Sequence, residues 1–377
     1  MFLILLDGAT RIRTAHLEII WFLPIAGFLI AWIYQRFGRD VEAGSNLILD
    51  EIHDPKKTVP IRMAPFILFG TIFTHLFGGS AGREGTAVQM GASLSDQLSH
   101  FFKLNLSERK ILLVTGAGAG FGAAIGAPWA GVIFGMEVIS VGRLRPFAWL
   151  QCLIASFCGY YTALFVGAHH SVFPRFEIPT FDFRTAGCVA IAGVVFGLSS
   201  IAFVRATHLF EAVFKKYISS VPLRPLLAGI FIVLLYRLEG TYRFAGLGIS
   251  EIQNALQARS DFSLPAFKTF FTVLTLGSGF KGGEFVPLVF IGTTLGSALS
   301  VILPISFQLL AALGFAAVFA GGANTPVACT LMAAEIFGFR ILPYALIACF
   351  VSYYCSGHQG IYKSQKIHVH KYKRFHQ

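Results

Sequence analysis

Charge is scarce in this sequence. Only 13% of its 377 residues are Asp, Glu, Lys or Arg, against 55% that are hydrophobic, and the mean hydropathy is +0.67. That balance excludes a soluble domain with a hydrated surface and reads as a polytopic membrane protein. Long uninterrupted apolar runs are also rare, because few segments stay free of charge for the roughly 20 residues that a straight bilayer span needs. The six cysteines (Cys152, Cys158, Cys188, Cys329, Cys349 and Cys355) lie in or beside apolar segments. They have neither metal-ligand spacing nor the setting of a disulfide framework, so packing residues are expected. There is no HExxH helix and no GxSxG elbow, which removes the usual signatures of an intramembrane hydrolase. No enzyme, cofactor or metal site is expected. The short apolar opening before Asp7, followed by Arg11 and Arg13, lacks the core and cleavage site of a secretory signal and reads as the end of a first helix.

Apolar segments recur at 17–33, 63–77, 112–139, 147–166, 186–204, 226–236, 285–302 and 309–337. Many contain Gly or Pro, among them Pro24, Gly27, Pro128, Gly131, Pro287 and Pro326. The fold class expected is all-α, built from short, tilted and broken helices whose freed backbone groups face protein or a wet cavity. The formal charge of +11 is explained by basic cytoplasmic loops rather than by nucleic-acid binding. Lys56, Lys57 and Arg62 form one basic cluster, and Lys363, Lys366, Lys371, Lys373 and Arg374 another. Both are placed in the cytoplasm, which makes 363–377 a basic cytoplasmic tail and both termini cytoplasmic.

The chain repeats itself at a spacing of about 200 residues. Ala127-Pro128-Trp129-Ala130 leads to Glu137, Thr325-Pro326-Val327-Ala328 leads to Glu335, and in each case the glutamate follows the proline by nine positions. Upstream, Gly82-Arg83-Glu84-Gly85 and Gly282-Gly283-Glu284-Phe285 each put a glycine-flanked glutamate at the start of an apolar helix, 200 residues apart. A first half of about 1–170 and a second of about 180–365 follow, within one transport domain spanning 1–377. Duplicated halves bring equivalent helix breaks together near the midplane. Orphan N–H groups and the positive dipole ends there make an anion site. An ionisable residue in such a place is a functional-site hypothesis by default.

A third break, Gly44-Ser45-Asn46, offers donors that either bind an anion or cap the next helix. Asp50, Glu51, His53 and Asp54 resemble a ligand set, but Pro55, Lys56 and Lys57 make an aqueous-facing helix end the better reading. Gly118 to Ala123 satisfies a loose dinucleotide fingerprint without the strand it requires, so close helix contact is expected instead. His358 is expected in a structural hydrogen bond. Glu137 and Glu335 are expected to cap or pair, and Arg83 to satisfy carbonyls or a carboxylate. Glu284 is read first as an ion-path residue and second as a partner for Lys281.

Taken together, Gly82-Arg-Glu-Gly-Thr86, the Ala-Pro and Thr-Pro repeats, Gly282-Gly-Glu-Phe-Val-Pro287 and Tyr362 resemble the CLC family of chloride channels and transporters along nearly the whole chain. Thr86, the Gly44 to Ile48 loop, Glu284 and the Ser356 to Tyr362 segment are similar to the family's fluoride/proton antiporter branch. The resemblance implies an inverted-repeat fold and a homodimer in the bacterial inner (cytoplasmic) membrane. It also implies fluoride and protons as transported species, with a CLC-type chloride channel or chloride/proton exchanger as the alternative. It assigns gating and proton roles to Glu84 and Glu284, and an anion site to Gly44, Ser45, Asn46, Gly85, Thr86, Phe285, Val286 and Tyr362. Val138 stands where many chloride/proton exchangers carry an internal glutamate. Two residues depart from the branch: Ser45 replaces its usual Asn, and Val286 its common Thr. Both changes bear on selectivity.

Overall fold

The computed structural model describes residues 1–372, folded as sixteen α-helices joined by turns and loops, the longest over residues 166–182. In chain order these are α1 (Phe2–Ala15), α2 (Leu23–Phe37), α3 (Ser45–His53), α4 (Met63–Leu76), α5 (Glu84–Phe101), α6 (Leu106–Ile125), α7 (Pro128–Glu137) and α8 (Trp149–Phe165). They continue with α9 (Phe183–Tyr217), α10 (Leu223–Glu239), α11 (Ile249–Gln257), α12 (Ser263–Ser278), α13 (Phe285–Leu299), α14 (Phe307–Ala323), α15 (Pro326–Phe337) and α16 (Leu342–Cys355). The all-α expectation holds, and so does the expectation of short helices. Two helical stretches, Leu17–Phe37 and Phe183–Tyr217, are long and apolar enough to cross a bilayer unaided, while six other apolar helices have 17 residues or fewer.

Local signals explain the breaks. Asn105 and Glu108 form a reciprocal capping box that starts α6, and Gly126, in the left-handed region at φ +86°, ends it. Pro128 and Pro326 sit at the first position of α7 and α15, where the missing N–H is no loss. Asp182 opens the 35-residue α9 by accepting from Thr185 N–H at 2.9 Å.

The repeat in the sequence is a repeat in packing. Helix α5 lies on α6 as α13 lies on α14; α6 meets α7 and α8 as α14 meets α15 and α16; and α4 lies against α5 as α12 does against α13. Both halves achieve their closest helix contact with the same device. A Cβ on Gly91 would meet Gly116 O at 2.2 Å, and a Cβ on Gly292 would meet Gly314 O at 2.0 Å, so only glycine permits either approach. Gly118, Gly120 and Gly122 likewise press on backbone or side-chain atoms of neighbouring helices, which is the packing role expected of that run.

Two carboxylates join the halves. Glu335, near the end of α15, accepts from Trp129 and Ala130 N–H at 2.9 and 2.8 Å, and Glu137, at the end of α7, accepts from Val327 and Ala328 N–H at 3.0 and 2.8 Å. Each glutamate therefore caps the proline-led helix of the other half, where orphan N–H groups and the dipole favour an anion. This is the capping role expected of the pair.

The expectation of an aqueous-facing helix end at Asp50 to Asp54 needs correction at Glu51. Its carboxylate is buried, pairs with Arg109 at 3.0 Å and accepts from Lys56 and Lys57 N–H, while the same guanidinium grips Asp96 at 2.8 Å. Pro55 turns the chain so that the loop folds back onto α6 and closes over the acid. Residues 363–372, the described part of the expected basic tail, are docked rather than loose; Lys373 and Arg374 lie outside the described residues. Lys366–Ile367 (β2) pairs in parallel with Ser140–Val141 (β1). Lys371 is buried, with Nζ donating to Tyr353 O and Ser356 Oγ. His358 Nε2 accepts from Lys371 N–H at 3.0 Å, the structural bond expected of it.

Replacing Glu335 by Ala leaves the N–H groups of Trp129 and Ala130 without acceptors. The expected outcome is a loss of about 1–3 kcal/mol, the scale of unsatisfied buried donors, seen as a lower melting temperature of the detergent-purified protein. An unchanged melting temperature would remove the cross-cap from the list of stabilising contacts.

Candidate functional site

Three glycine-flanked helix starts lie in the interior, and two of them meet. Gly82, just before α5, and Gly283, just before α13, form an isolated antiparallel bridge in which each N–H donates to the other's carbonyl, at 2.6 and 2.8 Å. The contact tolerates no side chain. A Cβ on Gly82 would lie 2.9 Å from Gly283 O and 3.0 Å from Val286 N, and one on Gly283 would lie 2.8 Å from Gly85 N. The third start belongs to α3. Gly44 takes φ +58°, a conformation suited to glycine, and its α-carbon faces Gln89 of α5, whose Nε2 donates to Ser45 Oγ at 3.2 Å. The N-terminus of a helix favours an anion; the α5 and α13 starts meet directly, while the α3 start touches α5 further along, at Gln89.

The predicted residues separate into two groups. Gly44, Ser45, Asn46, Glu284 and Tyr362 line a cavity of about 160 Å³ together with Gly282, Gln89 and Tyr34. Glu84, Phe285 and Val286 border a different, narrow cavity of about 20 Å³ with Arg83. Gly85 lies in the first turn of α5, against Gly283. Thr86 departs from expectation: it is fully buried and its hydroxyl is hydrogen-bonded to Thr71 Oγ1 at 2.7 Å. Its position one turn into α5 points it at α4, so it braces the helix start rather than facing either cavity.

Glu84 is buried with its carboxylate folded onto its own helix start, accepting from Arg83 N–H at 3.2 Å and Arg83 Nε–H at 3.3 Å. Arg83 also donates to Ala124 O, the structural role expected of it. Behind Phe285 stands an aromatic wall, with ring centroids of Phe319 at 4.6 Å and Phe121 at 5.5 Å, both edge to face. Tyr362 is buried, and its hydroxyl makes no hydrogen bond to another side chain or backbone group among the described residues. Its place is fixed from both sides in sequence. Ile361 N–H donates to Gly322 O at 2.8 Å and Ser364 N–H to Asn46 Oδ1 at 3.1 Å; Gln365 donates to Val138 O and Ala323 O at 2.8 Å. A phenol aimed into a cavity without a protein acceptor is a donor held ready for a ligand.

The cavity opens beside a vestibule of about 670 Å³ that shares Tyr34, Asn46, Lys281 and Glu284 with it. Glu284 does not pair with Lys281, the second role considered for it; the Lys281 ammonium lies over the Tyr34 ring, 4.1 Å from its centroid. Sequence reading named Lys281 only as a partner for Glu284 and missed Gln89, Tyr34 and His75, whose Nε2 donates to Gly82 O at 3.3 Å. For Gln89 a signal existed, since an amide inside an apolar helix within two turns of Glu84 has to find a partner. Among the described residues no cluster of His, Cys, Asp or Glu is arranged to hold a metal ion.

The family model described as voltage gated chloride channel matches residues 26–357. A chloride/fluoride channel protein of Pseudomonas syringae pv. tomato is 45% identical over 380 residues, covering 99% of this chain and 84% of that protein. A hydrogen ion/chloride exchange transporter of Vibrio cholerae serotype O1 is 28% identical over 363 residues, covering 88% of this chain and 76% of its own length. Among solved structures, that of a CLC-type fluoride/proton antiporter superposes with a TM-score of 0.93 at 32% identity, covering 97% of this chain and 93% of that one.

The Gly82–Gly283 bridge generates a test. Gly283→Ala forces its Cβ against Gly85 N and shifts the two helix starts apart. Anion flux in proteoliposomes is expected to fall about a hundredfold, the cost of an ångström of misplacement, with the protein still folded and monodisperse. Wild-type flux in a folded variant would detach the bridge from the site.

Proposed function

The chain belongs to the voltage gated chloride channel family, and on that premise we propose that it is a secondary active transporter that exports fluoride in exchange for protons. The observation that carries this reading is the convergence of the α5 and α13 starts at Gly82–Gly283, with a glutamate at each start and an unpartnered tyrosine hydroxyl nearby.

Antiport follows from competition. An ionised carboxylate and a halide are attracted to the same positive helix ends and cannot both occupy them. Ionised Glu84 fills the site at the head of α5, where Arg83 N–H and Nε–H hold it. On protonation it loses its charge and its claim on those donors, so an anion enters and the proton rides on the displaced side chain. Glu284 borders the inner cavity and the vestibule, which suits a second gate handling protons on that side. No carboxylate at Val138 is then required; Val138 instead supplies a carbonyl that fixes Gln365. If one fluoride leaves as one proton enters, two elementary charges move, and a membrane potential of 100 mV contributes roughly 4.6 kcal/mol to export.

The anion site of this reading consists of Gly44, Ser45, Asn46, Gly85, Phe285, Val286 and Tyr362, with Thr86 as a brace. The whole chain acts as one transport domain of two halves, in a homodimer of the inner membrane with both termini cytoplasmic. Its basic clusters favour that orientation. Chloride is the second substrate to consider, because Val286 offers no hydroxyl at α13 and Ser45 presents a hydroxyl where the fluoride branch has an amide.

In proteoliposomes under a fluoride gradient, with simultaneous pH recording, wild type is expected to move protons against fluoride, and Glu84→Gln to pass fluoride without protons because an amide cannot titrate. Absence of fluoride-driven proton movement in active wild-type protein sinks the antiport reading. Val286→Thr restores a hydroxyl at the head of α13, and its expected effect is a several-fold gain in fluoride over chloride flux, on the scale of one hydrogen bond. An unchanged ratio would place selectivity elsewhere.

A further inference from the structure

Lys281 immediately precedes the Gly282-Gly283-Glu284 start and lines both the vestibule and the inner cavity, so it stands at the neck between them. Its position is built by three other elements. The stem crosses α4 at Gly70, where a Cβ would meet Lys281 Cβ and Cγ at 3.0 Å. The ammonium rests over Tyr34 of α2, 4.1 Å from the ring centroid, and Phe66 of α4 holds that ring edge to face at 5.2 Å. Among the described residues the ammonium has neither a carboxylate within ion-pair distance nor a hydrogen-bond acceptor. Glu284 and Glu42 line the same cavities without reaching it, and Glu211 in the vestibule is engaged by Lys215 and Lys363.

A recessed cation without a counterion is unfavourable, and an aromatic face recovers only part of the lost hydration. Such a charge persists where its counterion is supplied by what passes through. An ammonium is a compact point charge with three rotatable donors, which suits a small spherical anion better than a planar guanidinium fork does. The vestibule is electrically consistent with this role, since five of its lining side chains are Lys or Arg against three Glu, an arrangement that gathers anions toward the neck.

We propose that Lys281 is a fixed cationic binding station for a small hard anion at the neck, delivering fluoride from the vestibule to the helix-start site. This rests on the fluoride transport reading and deepens it: the ammonium, seated on the Tyr34 face, supplies the charge that the passing ion meets.

Equilibrium titration of the purified protein with sodium fluoride and sodium chloride tests the station independently of proton coupling. Lys281→Met keeps the stem and removes the charge; its fluoride affinity is expected to fall about tenfold or more, the scale of a hydrogen bond to an ion. In flux assays its KM for fluoride presented on the vestibule side rises by a similar factor, while saturated flux and the proton-to-fluoride ratio hold. Lys281→Arg recovers part of the affinity, and Tyr34→Phe, which keeps the ring, matches wild type. Wild-type fluoride affinity in folded Lys281→Met overturns the proposal. So does loss of folding in both Lys281→Met and Lys281→Gln with folding restored by Arg, which would make the lysine a structural cation. A wild-type protein that binds fluoride tightly but moves no protons defeats the antiport reading and leaves the comparison at Lys281 standing.

Discussion

Two hydrogen bonds between Gly82 and Gly283 set the rest of the structure. They place the N-terminal ends of α5 and α13 in contact, and so bring together two positive dipole ends that repel unless something negative lies nearby. The protein meets that demand with its own carboxylate, since Glu84 folds onto the head of α5. The site is therefore poised rather than merely shaped. Whatever neutralises these helix ends, side chain or anion, is interchangeable in charge, and in the proposed mechanism exchange of one for the other is the transport event.

The same principle recurs where no transport takes place. Glu137 and Glu335 neutralise the heads of α15 and α7 across the two halves, each by a pair of N–H groups. These acids have the same partner type as Glu84 but accept from a helix of the opposite half, so their departure would open the seam between halves. Glu84 accepts from its own helix and from the adjacent Arg83, so it can leave without separating anything. Which acids are fixed and which can move thus follows from whose backbone they cap.

Much of this was legible from the chain. The spacing of 200 residues between Glu84 and Glu284, and of nine between each proline and its glutamate, is the linear trace of the paired caps and paired starts. Glycine beside glutamate marked two helix starts expected to converge, and the bridge is where they meet. What stayed hidden depends on contacts between segments far apart in sequence. Thr86 and Thr71 sit on neighbouring helices, Lys281 meets Tyr34 from 247 positions away, and Arg109 reaches back to Glu51 across 58, which no local pattern encodes. The tail looked like a basic solvated end because charge dominates its composition. Its structure is decided by backbone pairing with Ser140–Val141 and by the burial of the Lys371 ammonium on Tyr353.

Selectivity is where these threads join. Fluoride holds its water tightly, so a site that prefers it has to return several strong donors at once. On the α3 side the supply is good: Ser45 Oγ already accepts from Gln89 and is left to donate, and Asn46 Oδ1 is occupied by Ser364 N–H, which leaves its amide N–H groups for the ion. Tyr362 lines the same cavity and adds a phenol. Val286, which borders the separate narrow cavity beside Glu84, has no donor beyond its backbone, and the Thr86 hydroxyl is turned to Thr71. Donors are thus concentrated around α3 and Tyr362, with the Lys281 ammonium at the entrance. In the proposed site, discrimination then depends on the α3 start and the Tyr362 segment holding their places. Gln89, Gln365 and Asn324 tie these segments by hydrogen bonds, so in that proposal the amides outside the ion's immediate contacts keep its donors in place.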